Sequence, residues 1–414
     1  VKFSLSNLIL IRISVLFFGF CNIIITSNLL SVEDFGKFTF TVSILQFFIY
    51  LFNFGFPNVL AILIPKSEFK NTKPILFRQK FFLSLFFTLI FFSNLVLKIF
   101  NPILLLIVFI NVFLWINAFA LNINNYKNST FIFGQFRPGG GVLINFLFFI
   151  LIFFSFLSNF PLSIDDIFLY LFFSCLISLC LSEIYISKIF KNNDSKVSIR
   201  EILEISIPIG LQKSIDPIQE AFFFIMCNYF LSDSELGVFL FGYRIGTLVW
   251  NLFATVLDVN FSPLISNDIV NNNSKNLNQL LQQKTIIHFL STILLGLIIF
   301  LMYDFIVQIF FPNYLYAKQL ILIFIIALSI ICFFVDTINP GEIMKLSNKI
   351  IIFRFISLSF YLVPFFFSNQ NMYIYPFLFT LQFSCVRLLT TKEINKKIKI
   401  DYFARFYKNN NVKF

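Results

Sequence analysis

Histidine is nearly absent from this chain: His288 is the only one in 414 residues. A Cys/His metal site or a histidine-based nucleophilic triad would have to be built on that single imidazole. The six cysteines (Cys21, Cys175, Cys180, Cys227, Cys332 and Cys385) lie in apolar stretches, and none forms a C-x-x-C pair. Zinc and redox chemistry are therefore not signalled, and these residues read as buried small hydrophobes. No G-x-x-x-x-G-K-[ST] loop occurs, so the chain carries no phosphate cradle for hydrolysing ATP. Charge is scarce as well: 12% of residues are charged, against roughly 25% in ordinary soluble domains. No catalytic residue, metal or cofactor is expected.

What is present is apolar. Hydrophobic residues make up 58% of the chain, more than a soluble domain of this size can bury. A membrane span needs about 20 apolar residues, so twelve spans take roughly 240. Apolar runs bounded by polar clusters predict spans at about 6–30, 39–64, 80–100, 103–121, 140–160, 167–187, 205–230, 238–265, 285–311, 318–338, 350–368 and 372–391. The fold class is an all-α, polytopic inner-membrane protein. The first run is read as a span and not as a cleaved signal, because it is long and contains Arg12.

Loop charge predicts the orientation. With the N-terminus inside, 24 Lys and Arg lie on the cytoplasmic side, among them Lys66, Lys70, Lys73 and the run from Lys392 to Lys413. Three (Lys37, Lys98 and Lys318) lie outside. This asymmetry puts both termini in the cytoplasm and makes the span number even. It also accounts for the net charge of +11: the basic residues face the anionic inner leaflet, so membrane lipids are the implied partner and nucleic acid is not.

Two outward turns repeat. Leu30-Ser31-Val32-Glu33-Asp34-Phe35-Gly36-Lys37-Phe38 and Leu231-Ser232-Asp233-Ser234-Glu235-Leu236-Gly237-Val238-Phe239 share the pattern L-S-x-x-[DE]-[FL]-G-x-F at an offset of 201 residues. The same offset maps Arg12 onto Lys213. The chain therefore reads as two parallel six-span lobes, residues 1–195 and 196–414, the second ending in a basic cytoplasmic tail. Such a duplication predicts alternating access to a site near the midplane.

Charge within a span costs about 2.5–3.5 kcal/mol on insertion scales, so each instance asks for a lumen or a partner. Arg12 has no acid in its own span. Lys213, Asp216 and Glu220 fall at i, i+3 and i+7, within about 60° of arc on one helix face, with Pro217 between them to interrupt the helix. They form either a wet lumen face or a self-neutralising cluster. Arg12, Lys213 and Arg244 are the candidate substrate contacts. Asp216, Glu220 and Asp258 are the candidate ion-coupling or lumen carboxylates. Arg244 could equally snorkel, Arg387 is expected to snorkel at the inner interface, and His288 to lie there as an ordinary interfacial residue. Asn7, Asn22, Asn28, Asn53, Asn58, Asn111 and Asn117 supply interhelical hydrogen bonds or contacts to hydroxyls.

Several short motifs complete the pattern: L-S-x-E-D-F-G after span 1, Phe54-Gly55-Phe56-Pro57 and Ile64-Pro65-Lys66 in span 2, Pro263-Leu264-Ile265-Ser266 at the end of span 8, and Pro312-Asn313-Tyr314-x-x-Ala317 before span 10. In this order and spacing the chain resembles the polysaccharide-exporter (Wzx-type) branch of the multidrug/oligosaccharidyl-lipid/polysaccharide (MOP) flippase superfamily. The stretch ahead of Tyr314 departs from it, since that family often has Gly there. The resemblance implies a MATE-like fold and a flippase for undecaprenyl-pyrophosphate-linked oligosaccharide units of O-antigen or a related surface glycan. It leaves the coupling ion (H⁺ or Na⁺) open and adds a glycan polymerase complex as a candidate partner. A drug or organic-cation antiporter of the same fold would want a carboxylate in span 1. A peptidoglycan-precursor flippase usually has two further spans. An integral-membrane glycan enzyme would need a larger outward loop.

Overall fold

The computed structural model describes residues 5–57, 72–97, 101–123, 132–133, 141–158, 160–189, 198–271, 273–336, 347–366, 371–396, 398–400 and 402–403. Twelve α-helices run through them: α1 (Leu5–Leu29), α2 (Val32–Phe52), α3 (Thr72–Leu97), α4 (Pro102–Ile123), α5 (Val142–Leu157), α6 (Ile164–Ile189), α7 (Ile199–Phe230), α8 (Asp233–Val270), α9 (Ser274–Phe310), α10 (Lys318–Ile331), α11 (Ser347–Ser357) and α12 (Tyr375–Ile394). Short 3₁₀ segments precede α10, follow α11 and precede α12. No strand occurs among the described residues; one isolated antiparallel bridge pairs Phe334 with Phe403. Among the described residues, seven segments are long and apolar enough to cross a membrane, with α5 and part of α1 as shorter apolar helices.

Helix starts differ from the apolar runs for a local reason. α2 begins at Val32 and α8 at Asp233, several residues ahead of the predicted spans, because Ser31 and Ser232 cap them. The Ser31 hydroxyl accepts from Asp34 N–H, and Ser232 with Glu235 forms a full capping box. The acids read as turn residues therefore occupy the first helical turn, where the dipole favours them. The two caps superpose in detail at the 201-residue offset. Ser31 has φ −61, ψ 161 and Ser232 φ −64, ψ 159. Leu30 N–H donates to Thr26 O as Leu231 N–H does to Cys227 O. Gly36 and Gly237 do not close the turns; both are buried within the helices.

The chain divides into two compact units, Val1–Ala221 and Phe222–Phe414. In the first, α1 packs on α5 and α2, while α4 packs on α2, α3 and α6, and α5 on α6. Small and polar residues let the α4–α6 pair approach. Ser174, Ser178 and Ser182 are fully buried along α6, and Asn111 and Asn117 of α4 reach Cys175 Sγ and Ser182 Oγ across it. The opposite boundary is a lipid-facing row on α3: Phe77, Phe81, Leu85, Leu89 and Phe92 are exposed at helical spacing.

In the second unit, α8 packs on α9 and α10, α9 on α10, and α10 and α11 on α12. Phe223, Phe239, Tyr243, Phe324 and Phe379 form its aromatic core. α8 has 38 residues and α9 has 37, so each is about 55 Å long, well beyond a hydrocarbon core of about 30 Å. Exposed apolar residues on α9 run from Ile287 to Phe310. Its first third is polar outside and buries Leu277, Leu281, Gln282 and Lys284 inward. The α8–α9 hairpin is therefore longer than a hydrocarbon core, and its surplus lies at the end where α8 meets α9.

That end departs from the expected snorkelling. Arg387 is buried, and its guanidinium donates to Ile331 O at 2.8 Å and Phe334 O at 3.0 Å, satisfying carbonyls at the α10 C-terminus. It also lies 3.9 Å from Asp336, which pairs with the buried Lys284 at 3.0 Å. His288 is buried too, stacked on Trp250 and 3.0 Å from Trp250 O. Burial alone would raise the Asp336 carboxyl, but Lys284 and then Arg387 outweigh it and hold it below the usual carboxylate range. The stabilisation this gives is present above the ordinary carboxylate pKa and is lost as pH falls through the lowered one.

Candidate functional site

α7 runs unbroken through Pro208 and Pro217, so Pro217 does not interrupt the Lys213–Asp216–Glu220 face as its sequence position suggested. The break falls instead in α2, inside a run expected to remain helical to residue 64. Beyond Phe52 the chain turns: Asn53 accepts Gly55 N–H on its side-chain oxygen at 2.6 Å, Phe54 has φ 49 and Gly55 φ 73. Left-handed backbone is costly for any residue but glycine, and here two consecutive residues adopt it.

α7 docks into this break, and the contact is backbone on backbone. A Cβ on Gly55 would stand 2.4 Å from Ser206 O and 2.5 Å from Gly210 N, and one on Gly210 would stand 2.5 Å from the Phe54 carbonyl carbon. One turn on, Ser214 donates to Tyr50 O at 3.1 Å and to Gly210 O at 2.8 Å, so a carbonyl near the end of α2 is paired with α7. Ser206, Gly210 and Ser214 thus form the small-residue face that meets α2. Lys213 directly precedes Ser214 in the chain. The spacing of Gly55 and Pro57 within an apolar run is the signal that marks such a break.

The sequence-derived site residues distribute as follows. Arg12 lies in α1, Lys213, Asp216 and Glu220 in α7, and Arg244 and Asp258 in α8. The side chains of Arg12, Lys213, Asp216 and Asp258 are outside the described residues, so their contacts belong to the proposal below. Glu220 is half-buried. Arg244 is 8% exposed, so it is buried on α8 and does not reach out as a snorkelling side chain. Arg354 is buried in α11 at 5% exposure. The side chain of Asn7, in α1, and the whole of Asn58 lie outside the described residues. Asn22 donates to Asn145 O at 3.0 Å, tying α1 to α5. Asn28 bonds within its own helix and Asn53 holds the α2 turn.

A further polar network, which no sequence motif marks, links α3, α4 and α6. Lys80 Nζ lies 2.6 Å from Glu183 Oε1, which also accepts from Asn117 Nδ2 at 2.8 Å. Glu183 is half-exposed, which limits the pair to about 1 kcal/mol. A double-mutant cycle of Lys80→Met and Glu183→Gln, read by thermal unfolding in detergent, should give a coupling energy of about 0.5–1.5 kcal/mol. Additive effects would show that the pair does not act as a unit.

Comparison with known proteins places this arrangement. The family model described as "Polysaccharide biosynthesis protein" matches residues 4–267, well over half of the chain. No curated protein matches the sequence. Among solved structures, the lipid II flippase MurJ in an inward closed conformation is similar with TM-score 0.67 and 14% identity, covering 94% of this chain and 88% of that one. An outward-facing multidrug resistance MATE family transporter of the MOP superfamily gives 0.64 and 15%, covering 93% and 92%. A MOP superfamily transporter from Pyrococcus furiosus, described as having a binding pocket of reversed polarity, gives 0.60 and 13%, covering 94% and 94%. The chain belongs to the polysaccharide biosynthesis protein family: it is a polytopic helical membrane protein with the fold of the MOP superfamily, whose relatives are transporters and flippases and not enzymes.

Proposed function

We propose that this protein flips an undecaprenyl-pyrophosphate-linked oligosaccharide, the repeat unit of O-antigen or a related surface polysaccharide, from the inner to the outer leaflet of the bacterial inner membrane by alternating access. Its termini are cytoplasmic in this reading, and its two six-helix lobes divide near residues 195 and 196. The observation that carries it is the family match over residues 4–267 together with a cation at equivalent positions of α1 and α7. A pyrophosphate is a strong anion, and Arg binds phosphate oxygens as a bidentate fork. Arg12 and Lys213 hold that group, with Arg244 as a further cation. Asp216, Glu220 and Asp258 are the carboxylates through which H⁺ or Na⁺ would couple. A glycan polymerase is the natural recipient of the flipped unit. A drug antiporter on the same fold is disfavoured because α1 contains no acid.

Deletion in the host tests the reading. Long surface glycan should fall at least about tenfold, with lipid-linked units accumulating on the inner leaflet and a plasmid copy restoring both. Normal surface glycan in a strain with no other flippase would refute it.

A further inference from the structure

The long α8–α9 hairpin raises a physical problem. Its tip lies beyond the exposed apolar stretch of α9 that runs from Ile287 to Phe310, so lipid does not account for the cover of its apolar side chains, yet Ile265, Ile269, Leu277 and Leu281 are buried there. Their cover comes from the last part of the chain. After α12, Ile398 and Ile400 turn back and join these residues with Val335, Ile350 and Ile394 in one apolar cluster. The strap alternates: Lys396 and Lys399 are exposed while Ile398 and Ile400 are buried.

Polar contacts hold it at both ends. Asn395 bonds Ile400 twice, donating to its carbonyl at 2.9 Å and accepting its N–H at 2.7 Å. Val335 N–H donates to Tyr402 O at 3.3 Å, Phe334 pairs with Phe403 across the antiparallel bridge, and Gln282 of α9 donates to Phe403 O at 3.0 Å. Beside the strap, the Lys284–Asp336–Arg387 cluster ties α9 and α12 to the same non-helical end of α10.

We propose that residues 395–396, 398–400 and 402–403 are a permanent clasp on the end of the second unit where α8 meets α9, binding the α8–α9 hairpin to the ends of α10 and α12 so that the unit moves as one body. Long helices whose tips extend past the membrane flex independently unless something packs between them, and alternating access depends on force passing through rigid elements. The basic tail is therefore a structural strap as far as Phe403.

Three forms of the protein test this. A chain ending at Phe403 should unfold at the same temperature as the full chain and transport within about twofold of it. A chain ending at Lys397 should unfold about 5 °C lower or more, since it exposes the cluster to water, and should lose transport at least about tenfold. Should that chain fail to accumulate, full-length Ile400→Asn gives the same reading through its unfolding temperature. In a background lacking the six native cysteines, Phe334→Cys with Phe403→Cys should form a disulfide, since paired bridge residues lie within disulfide reach, and transport should survive its formation. An unchanged unfolding temperature for the chain ending at Lys397 overturns the clasp. A disulfide that arrests transport until it is reduced overturns its permanence. The unfolding measurements do not depend on what is carried, so they stand or fall separately from the proposed function.

Discussion

Replacing Arg12 with alanine is expected to reduce transport about 100-fold while leaving the amount of protein in the membrane unchanged. The two effects separate because of where α1 lies. An arginine within a span costs about 2.5–3.5 kcal/mol to insert, so removing it takes away a burden. A charged hydrogen bond to the cargo contributes about 1.5–3 kcal/mol, and losing it from the binding and crossing steps corresponds to roughly 10- to 150-fold. Arg12→Lys keeps the charge and loses the fork, so it should fall between the two. Lys213→Ala should resemble Arg12→Ala, and the double variant should be little worse than either if both cations hold the same pyrophosphate. The measurement is the rate at which lipid-linked oligosaccharide becomes accessible on the far side of reconstituted vesicles. Full transport by Arg12→Ala would end the proposal, and so would a loss that merely follows loss of protein.

How much of this was legible in the sequence depends on how local the physics is. The two capped turns could be read directly, because a serine followed three residues later by an acid settles its own geometry. The 201-residue offset then follows from matching two short segments, and the backbone at Ser31 and Ser232 agrees within a few degrees. The twelve helices were legible for the same reason, since each apolar run reports on itself. The break in α2 was legible only in part: Gly55 and Pro57 punctuate the apolar run, but the left-handed turn is held by α7, which meets it at Gly210. Lys284, Asp336 and Arg387 look like three independent interfacial charges until the ends of α9, α10 and α12 are brought together. The clasp was hidden in a tail whose lysines dominate its composition, while Ile398 and Ile400 do the packing.

The largest expected effect on stability lies at that break. Gly55→Ala places a Cβ 2.4 Å from Ser206 O on a residue at φ 73, and Gly210→Ala places one 2.5 Å from the Phe54 carbonyl carbon. Neither clash can be relieved by turning a side chain, because backbone lies on both sides. Overpacking of this kind costs about 1–3 kcal/mol, and the left-handed conformation adds about 1–2 kcal/mol for alanine at position 55. Gly55→Ala should therefore lose about 2–5 kcal/mol, and Gly210→Ala about 1–3 kcal/mol. Because the two share one contact, the double variant should cost clearly less than the sum. Gly19 in α1 is the matched control: nothing lies within 4 Å of the Cβ it would gain, so Gly19→Ala should stay within about 0.5 kcal/mol of the native protein or improve on it through helix propensity. Thermal unfolding in detergent distinguishes the three variants. If Gly210→Ala unfolds at the temperature of the Gly19→Ala control, α7 does not meet α2 backbone to backbone, and the lock between the two helices does not exist.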